Sequence, residues 1–197
     1  MKRVLTAVAL LFAGTANAAI VTSTADPKLA GATVETFNTV APGDYTTLSL
    51  SKVTVKGNGA PMTIGTTNAE YGVDNSNNLQ NTSATPSSFD LVFSNVVTAF
   101  GIFGGAVNNA WTYSAYDASG NLVESINTSG LCCSAMFFGI ANDSGFSRVT
   151  LEGFGDWAIF DNLHFVEKSG TDVPEPGALA LLGLGVLGIA ASRRRRV

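Results

Sequence analysis

The apolar residues in the middle of this chain recur with a period of two and are interrupted every few residues by glycine, asparagine or serine. No apolar stripe at helical spacing extends over this region, so the pattern predicts β-strands. The predicted strands are Ala32–Thr39, Thr46–Val55, Met62–Gly65, Ser88–Phe93, Val97–Phe103, Trp111–Asp117, Leu122–Asn127, Met136–Ile140, Ser147–Glu152 and Ala158–Val166. About ten short strands in roughly 150 residues are typical of an all-β domain, either a two-sheet sandwich or a jelly roll.

Three local patterns add detail to this prediction. The apolar residues change parity within the second strand, which indicates a β-bulge near Ser51 and Lys52. The sequence Asp117-Ala118-Ser119-Gly120 lies between two alternating segments and predicts a hairpin turn, in which the glycine supplies a positive φ. Residues Asn68 to Ser88 are polar and predict a long surface loop.

The N-terminus has the layout of a secretory signal peptide. Lys2 and Arg3 precede the apolar stretch Val4–Ala13, and Ala16-Asn17-Ala18 supplies the small residues that a signal peptidase accepts. About ten apolar residues are too few to span a bilayer of about 30 Å at 1.5 Å per residue. The sequence therefore predicts export, with cleavage by signal peptidase after Ala18.

The C-terminus combines three elements in order. Val173-Pro174-Glu175-Pro176 interrupts any preceding structure, an uncharged stretch follows from Gly177 to Ala191, and Arg193, Arg194, Arg195 and Arg196 come last. The uncharged stretch would be about 22 Å long as a helix, which is marginal for a transmembrane span. Terminal arginines hold such a helix end on the cytoplasmic side. We expect a transmembrane helix over 177–191 that anchors the chain transiently in the inner membrane.

This constellation resembles the PEP-CTERM sorting signal of Gram-negative bacteria. The resemblance rests on the tripeptide Pro174-Glu175-Pro176, the short Gly/Ala/Leu segment and the terminal arginine cluster, all at the chain end. It implies recognition by an exosortase, cleavage near Pro174–Pro176, and delivery to the cell surface or exopolysaccharide matrix. The alternative is an ordinary C-terminal anchor in which Pro-Glu-Pro is coincidental.

The segment Phe89–Phe165 is similar to the β-sandwich ectodomain found on many PEP-CTERM proteins. The similarity rests on motifs such as Val97-Thr98-Ala99-Phe100-Gly101, Phe137-Phe138-Gly139-Ile140 and Ala158-Ile159-Phe160-Asp161-Asn162-Leu163. A more distant likeness is to carbohydrate-binding jelly rolls. That likeness implies a closing strand with an apolar-Asp-Asn-apolar pattern and a structural calcium at the sheet edge.

The net charge of −4 and the mean hydropathy of +0.25 are averages over two different kinds of sequence. Six of the eleven basic residues belong to the terminal signals. The region between the signals, Ala19–Val173, keeps five basic residues against fourteen acidic ones, so its net charge is −9. We expect this domain to avoid nucleic acid and to attract cations.

Asp161 lies in the closing strand at the parity of Trp157 and Leu163, which we expect to face the core. A buried carboxylate needs hydrogen-bond donors or a cation, because an unpaired buried charge costs several kcal/mol. Backbone N–H groups at a strand end are one solution. Structural calcium is the other, with Glu35 and Asn38 on the first long strand as further oxygen ligands.

Cys132 and Cys133 are the two cysteines of an exported chain, where disulfides are permitted. Adjacent Cα atoms are 3.8 Å apart across a trans peptide, below the usual minimum of about 4.4 Å for a disulfide. A vicinal disulfide would therefore be strained and would form a rigid, apolar turn. Intermolecular cross-linking and two reduced thiols are the alternatives.

Trp111 and Trp157 are candidates for stacking on sugar rings, as is Tyr113. The competing interpretation places strand tryptophans in the core.

Little in the chain favours catalysis. His164 is the single histidine, so it cannot form a zinc site of usual composition, and we expect it on the outward face of its strand. Asp117, Asp143 and Asp156 would have to lie about 5 to 9 Å apart to act as a glycosidase pair. Because they adjoin glycine, serine or alanine, solvated turn acids are the simpler interpretation.

The sequence as a whole predicts three regions: a signal peptide at 1–18, a β-sandwich ectodomain at 19–170 and a sorting signal at 171–197. We expect a non-enzymatic surface or matrix protein with a structural or adhesive role in an exopolysaccharide-producing Gram-negative bacterium. A glycan-binding module, with exopolysaccharide as the partner, is the first alternative. A secreted hydrolase is the second.

Overall fold

Two long strands organise the fold, and each of them contributes to two layers of sheet. The computed structural model describes residues 18–66, 71, 75–81, 87–128, 130, 134–153 and 157–170. Its strands are β1 (Ala18–Val21), β2 (Thr33–Glu35), β3 (Gly43–Tyr45), β4 (Thr47–Ser49), β5 (Val53–Asn58), β6 (Met62–Thr66), β7 (Asn77–Asn81), β8 (Ser87–Gly105), β9 (Thr112–Tyr116), β10 (Leu122–Asn127), β11 (Met136–Gly153) and β12 (Ile159–Glu167). Over the described residues the all-β class is confirmed.

The first layer contains residues 87–93 of β8 and 148–153 of β11. β9 and β10 extend it on the β11 side, and β5 and β4 extend it on the β8 side. The second layer contains residues 97–105 of β8 and 136–141 of β11. β1 extends it on the β11 side, and β12 extends it on the β8 side towards β7, β6 and β3, with β2 also paired to β12. All of these pairings are antiparallel.

The two long strands pass from one layer to the other at the same end of the domain, which we call the closed end. β8 turns over at Ser94–Val96, and β11 turns over at Asn142–Gly145, where its register shifts and Gly145 has a φ of 82°. Such shifts bend a strand sharply. The opposite end, where β8 begins and ends, is called the open end.

Aromatic side chains from the two layers meet in the interior. Phe89 of the first layer contacts Phe160 of the second, with ring centroids 5.0 Å apart, although Phe160 pairs with Gly104 at the far end of β8. Phe93 likewise contacts Phe165 at 5.3 Å. These contacts show that the two halves of β8 face each other across one core, the arrangement of a β-sandwich-like fold.

A second, smaller apolar cluster covers the outer face of the second layer. Val21 and Leu29 from the N-terminal segment pack there with Ala99, Phe137 and Ala141. Leu29 ends a short 3-10 turn whose first N–H groups are capped by Asp26, since Asp26 Oδ1 accepts a hydrogen bond of 2.9 Å from the Lys28 N–H. The N-terminal segment thus shields one face of the sandwich from solvent.

Several local predictions hold and others fail. The turn at Asp117–Gly120 is confirmed, with Gly120 at φ 84°. The expected bulge at Ser51 and Lys52 is instead a turn between β4 and β5, closed by the hydrogen bond from Leu50 N–H to Val53 O. The predicted loop Asn68–Ser88 contains a strand, β7. Its buried residues Asn78 and Asn81 belong to the pairing with β6, and Asn81 also forms backbone and side-chain hydrogen bonds with Ala158.

Other differences between the predicted and the observed strands concern their length and number. The predicted first strand, Ala32–Thr39, is a strand only over Thr33–Glu35, and the N-terminal strand Ala18–Val21 was not predicted. Among the described residues there is no helix long and apolar enough to cross a membrane. The expected helix at 177–191 lies outside the described residues.

Candidate functional site

An aromatic pair lies at the open end, formed by the exposed Trp157 and the half-buried Tyr71, and we call these two residues the aromatic corner. Trp157 is 45% exposed, and its ring meets that of Tyr71 edge-on at a centroid distance of 6.2 Å. The expectation that Trp157 faces the core is wrong. Trp157 lies two residues before β12 begins at Ile159. The alternation of side chains along the strand therefore does not determine which way its indole points.

The backbone around the aromatic corner is held from both sides. Ala158, next to Trp157, donates its N–H to the side-chain oxygen of Asn81 and accepts a bond of 3.1 Å from the Asn81 N–H. The Tyr71 carbonyl lies directly against Gly105, where a Cβ atom would overlap it. Because Gly105 pairs with Ile159, both aromatic residues are positioned from the same pair of strands.

Trp111, the other candidate for sugar stacking, belongs to the core. It is 1% exposed and contacts Phe89 and Phe160. Gly153 leaves room for its indole, since a Cβ atom there would overlap the ring. Tyr113 is also buried, and burial raises the pKa of its hydroxyl above the usual range. Neither side chain is available to a ligand, which corrects the stacking hypothesis for both.

Asp161 is buried but does not share the face of Leu163. Asn162 has a φ of 47°, and the register of β12 shifts between Asp161 and His164. This irregularity changes which side chains point inward, so Asp161 pairs with Phe103, a residue packed in the outer cluster. Asp161 Oδ1 accepts a hydrogen bond of 2.7 Å from the Asn162 N–H, which is the backbone alternative considered from the sequence.

The structure does not assemble the predicted calcium ligands. Glu35 pairs with Leu163, whose side chain is in the main core, whereas Asp161 lies towards the outer face. Cross-strand partners share a face of a sheet, so the two carboxylates are on opposite faces. Asn38 is exposed beyond the end of β2. Within the described ranges no group of three His, Cys, Asp or Glu side chains could hold a metal ion. Burial raises the pKa of Glu35.

The acids considered for hydrolysis have structural contacts where they are described. Asp117 accepts hydrogen bonds from the Asn121 side chain at 2.9 Å and from the N–H groups of Ser119 and Asn121, and these bonds lower its pKa. Asp143 forms an ion pair of 2.9 Å with Lys28. Asp156 lies outside the described residues. The interpretation of Asp117 as a turn acid is confirmed.

His164 lies on the outer face of the second layer, as expected. It pairs with Val34, and its ring meets Phe137 edge-on at 5.4 Å. Burial lowers the pKa of the imidazole, because the charged form loses hydration.

The lowered pKa of His164 predicts a pH effect on stability. The unfolded chain binds the histidine proton more tightly than the folded chain, so stability decreases as the pH falls through the ordinary value of about 6.5. Between about pH 7.5 and pH 5.5 we expect the urea midpoint of the native protein to fall more than that of a His164→Gln variant. Equal decreases in the two proteins would contradict this prediction, since carboxylates titrate in both.

The remaining predicted sites lie outside the described residues. These are the cysteine pair Cys132 and Cys133, the motif Val173–Pro176 and the arginine cluster Arg193–Arg196. Tyr71 belongs to the aromatic corner but was not predicted from the sequence. The sequence feature that could have indicated it is that Tyr71 is the single aromatic residue in the polar stretch Asn68–Ser88.

The polar outer face of the first layer carries a second group that was not predicted. The Arg148 guanidinium lies 4.0 Å from the centre of the Tyr116 ring, and its Nη1 donates to Thr150 Oγ1 at 2.8 Å. Thr150 in turn donates to Asp90 Oδ1 at 2.7 Å. The polar groups of these side chains are therefore paired with one another across β9, β11 and β8, and we interpret the group as stabilising the sheet.

Comparison with known proteins identifies the C-terminal region. Residues 172–196 match the PEP-CTERM protein-sorting motif. The chain therefore carries a sorting motif that implies export, membrane anchoring before processing, and an exosortase as the processing partner. No curated protein matches the chain by sequence.

Several solved structures resemble the domain at low identity. TmCBM61 in complex with β-1,4-galactotriose is 17% identical, with a TM-score of 0.37 over 59% of this chain and 89% of that one. The K2 cleaved adhesin domain of Lys-gingipain is 12% identical, with a TM-score of 0.44 over 68% and 99%. The CBM22-1 and GH10 modules of a Clostridium thermocellum endo-1,4-β-D-xylanase are 10% identical, with a TM-score of 0.40 over 71% and 29%. Such values carry no conclusion about ligand or activity.

Proposed function

We propose that this chain is the precursor of a non-enzymatic surface or matrix protein with a structural or adhesive role. The observation that carries the proposal is the sorting motif at 172–196, which follows the β-domain whose last strand ends at Glu167. In this scheme signal peptidase cleaves after Ala18, and a helix over 177–191 holds the precursor in the inner membrane. An exosortase then cuts near Pro174–Pro176 and releases a sandwich or jelly-roll domain to an exopolysaccharide-producing Gram-negative cell surface or biofilm matrix.

Deleting the gene tests the structural or adhesive role. We expect cells without the protein to retain less surface-attached biomass, measured by crystal-violet staining, at an unchanged yield of secreted polysaccharide. Complementation with the full chain should restore attachment, whereas a chain lacking 172–196 should not, because it is not sorted. Unchanged attachment in the deletion strain would exclude the proposed role.

Glycan binding is the second candidate function, and the exposed ring of Trp157 favours it. An exposed indole next to a second aromatic ring offers an apolar surface with a polar tip, which suits sugar rings. We expect the purified full chain to bind saturably to members of a glycan array. Heat-denatured protein serves as the control, and equal signals from native and denatured protein would exclude a folded binding site.

A further inference from the structure

Both ends of the described domain leave from its closed end. Ala18 pairs with Asn142, at the turnover of β11, and Glu167 pairs with Val97, next to the turnover of β8. The signal-peptide segment precedes Ala18 and the sorting segment follows Glu167, so both of these chain segments connect at the same end. We call the closed end the attachment end, because both segments join the domain there.

The aromatic corner lies at the other end. β12 runs for nine residues from Ile159, next to Trp157, to Glu167 at the attachment end. At about 3.3 Å per residue this strand separates the two ends by roughly 26 Å. The corner is therefore separated from the two chain exits by about the full length of β12.

The corner is also rigidly supported. Two hydrogen bonds tie Ala158 to Asn81, and the close approach of Tyr71 to Gly105 excludes even a methyl group between them. A binding surface that is already ordered loses less entropy when a ligand binds. Leu122, an exposed apolar residue on the edge strand β10, pairs with Tyr116 and lies outside this arrangement.

The charge of the domain restricts the class of ligand. With a net charge of −9 over Ala19–Val173, the domain repels polyanions. Two aromatic rings offer apolar surface, which matches the C–H faces of sugar rings. An uncharged polysaccharide satisfies both conditions.

We propose that the aromatic corner binds uncharged polysaccharide, at the end of the domain opposite to the one where the signal-peptide and sorting segments join it. The proposal rests on the glycan-binding function and adds its site and its ligand class.

The two tryptophans make binding at the corner measurable, because Trp111 is 1% exposed and Trp157 is 45% exposed. Quenching by a water-soluble agent therefore reports mainly on Trp157. We would reconstitute the full chain in phosphatidylcholine vesicles and add a soluble β-glucan, xylan, galactan or mannan. We expect acrylamide to quench Trp157 and a bound glycan to reduce that quenching.

Substitutions locate the site. We expect Trp157→Ala to weaken binding about tenfold and Tyr71→Ala to weaken it about threefold, as loss of one aromatic contact each would do. Binding by these variants is followed by calorimetry, and urea unfolding confirms that they fold. Leu122→Ala, which removes a 59% exposed side chain from β10, is the matched control and should bind as the native protein does.

Each outcome has a separate meaning. Absence of binding to the whole panel by the native chain would overturn the glycan-binding function itself, and the site with it. Binding that is unaffected by Trp157→Ala would overturn the site while leaving the function intact. Binding that leaves the acrylamide quenching of Trp157 unchanged would likewise overturn the site.

Discussion

Replacing Pro174, Glu175 and Pro176 by alanine is expected to abolish the shorter, surface-exposed form of the protein and to leave the full-length chain in the inner membrane. The tripeptide lies inside the matched sorting motif, whereas the uncharged segment 177–191 and the four arginines that we expect to anchor it are retained. The variant should therefore remain inserted without being cut. Immunoblots of inner-membrane and extracellular fractions, with intact masses of both forms, measure the effect.

The control for this variant changes residues just outside the motif. Alanine at Lys168, Ser169 and Gly170 alters the same connecting region but leaves 172–196 intact, so this chain should be processed normally. Normal processing of the Pro174–Pro176 variant would show that Pro-Glu-Pro is coincidental and that the C-terminus is an ordinary anchor.

The largest effect on stability is expected for Phe160→Ala. Phe160 is fully buried and contacts Phe89 at 5.0 Å and Trp111 at 4.9 Å, so it joins the two layers at the open end. Truncating a buried phenylalanine costs about 3 to 5 kcal/mol, through lost transfer free energy and the cavity that remains. Domains of this kind have a total stability of about 5 to 15 kcal/mol, so the loss is a large fraction of it.

Urea unfolding followed by Trp111 fluorescence measures this loss, because Trp111 packs directly on Phe160. Leu122→Ala removes a side chain that is 59% exposed, and we expect a change within about 0.5 kcal/mol. A loss below about 1 kcal/mol for Phe160→Ala would mean that the two layers are not joined through this cluster.

The predictions that hold depend on neighbours in sequence. The turn at Asp117–Gly120 forms because the Asp117 carboxylate binds N–H groups two and four residues later and Gly120 takes a positive φ. The all-β class follows from alternation, which is also a local property. The sorting motif is a contiguous segment, so it too could be recognised without a fold.

The bulge expected at Ser51 and Lys52 fails locally, but the failed predictions for β7, the tryptophans and Asp161 depend on contacts between distant segments. β7 is as polar as a loop, yet it is a strand because β6 and β12 supply its pairing partners. Trp111 and Trp157 could not be told apart by residue type, since the core around Phe89 and Phe160 buries one and leaves the other exposed. The face of Asp161 depends on the register shift at Asn162, which a strict alternation does not predict.

The sequence by itself therefore determined the class of the fold, the acidic charge of the domain and the sorting route, because alternation, composition and a contiguous motif are properties of the chain alone. Only the tertiary structure decided which aromatic residues are exposed and at which end of the domain the two chain exits lie. The turnovers of β8 and β11 bring both chain exits to one end and leave Trp157 with Tyr71 at the other. The physical reason is that these placements depend on strand register and on packing between the layers. Pairing partners such as Thr33 and Phe165 lie about 130 residues apart and are not encoded in any local pattern.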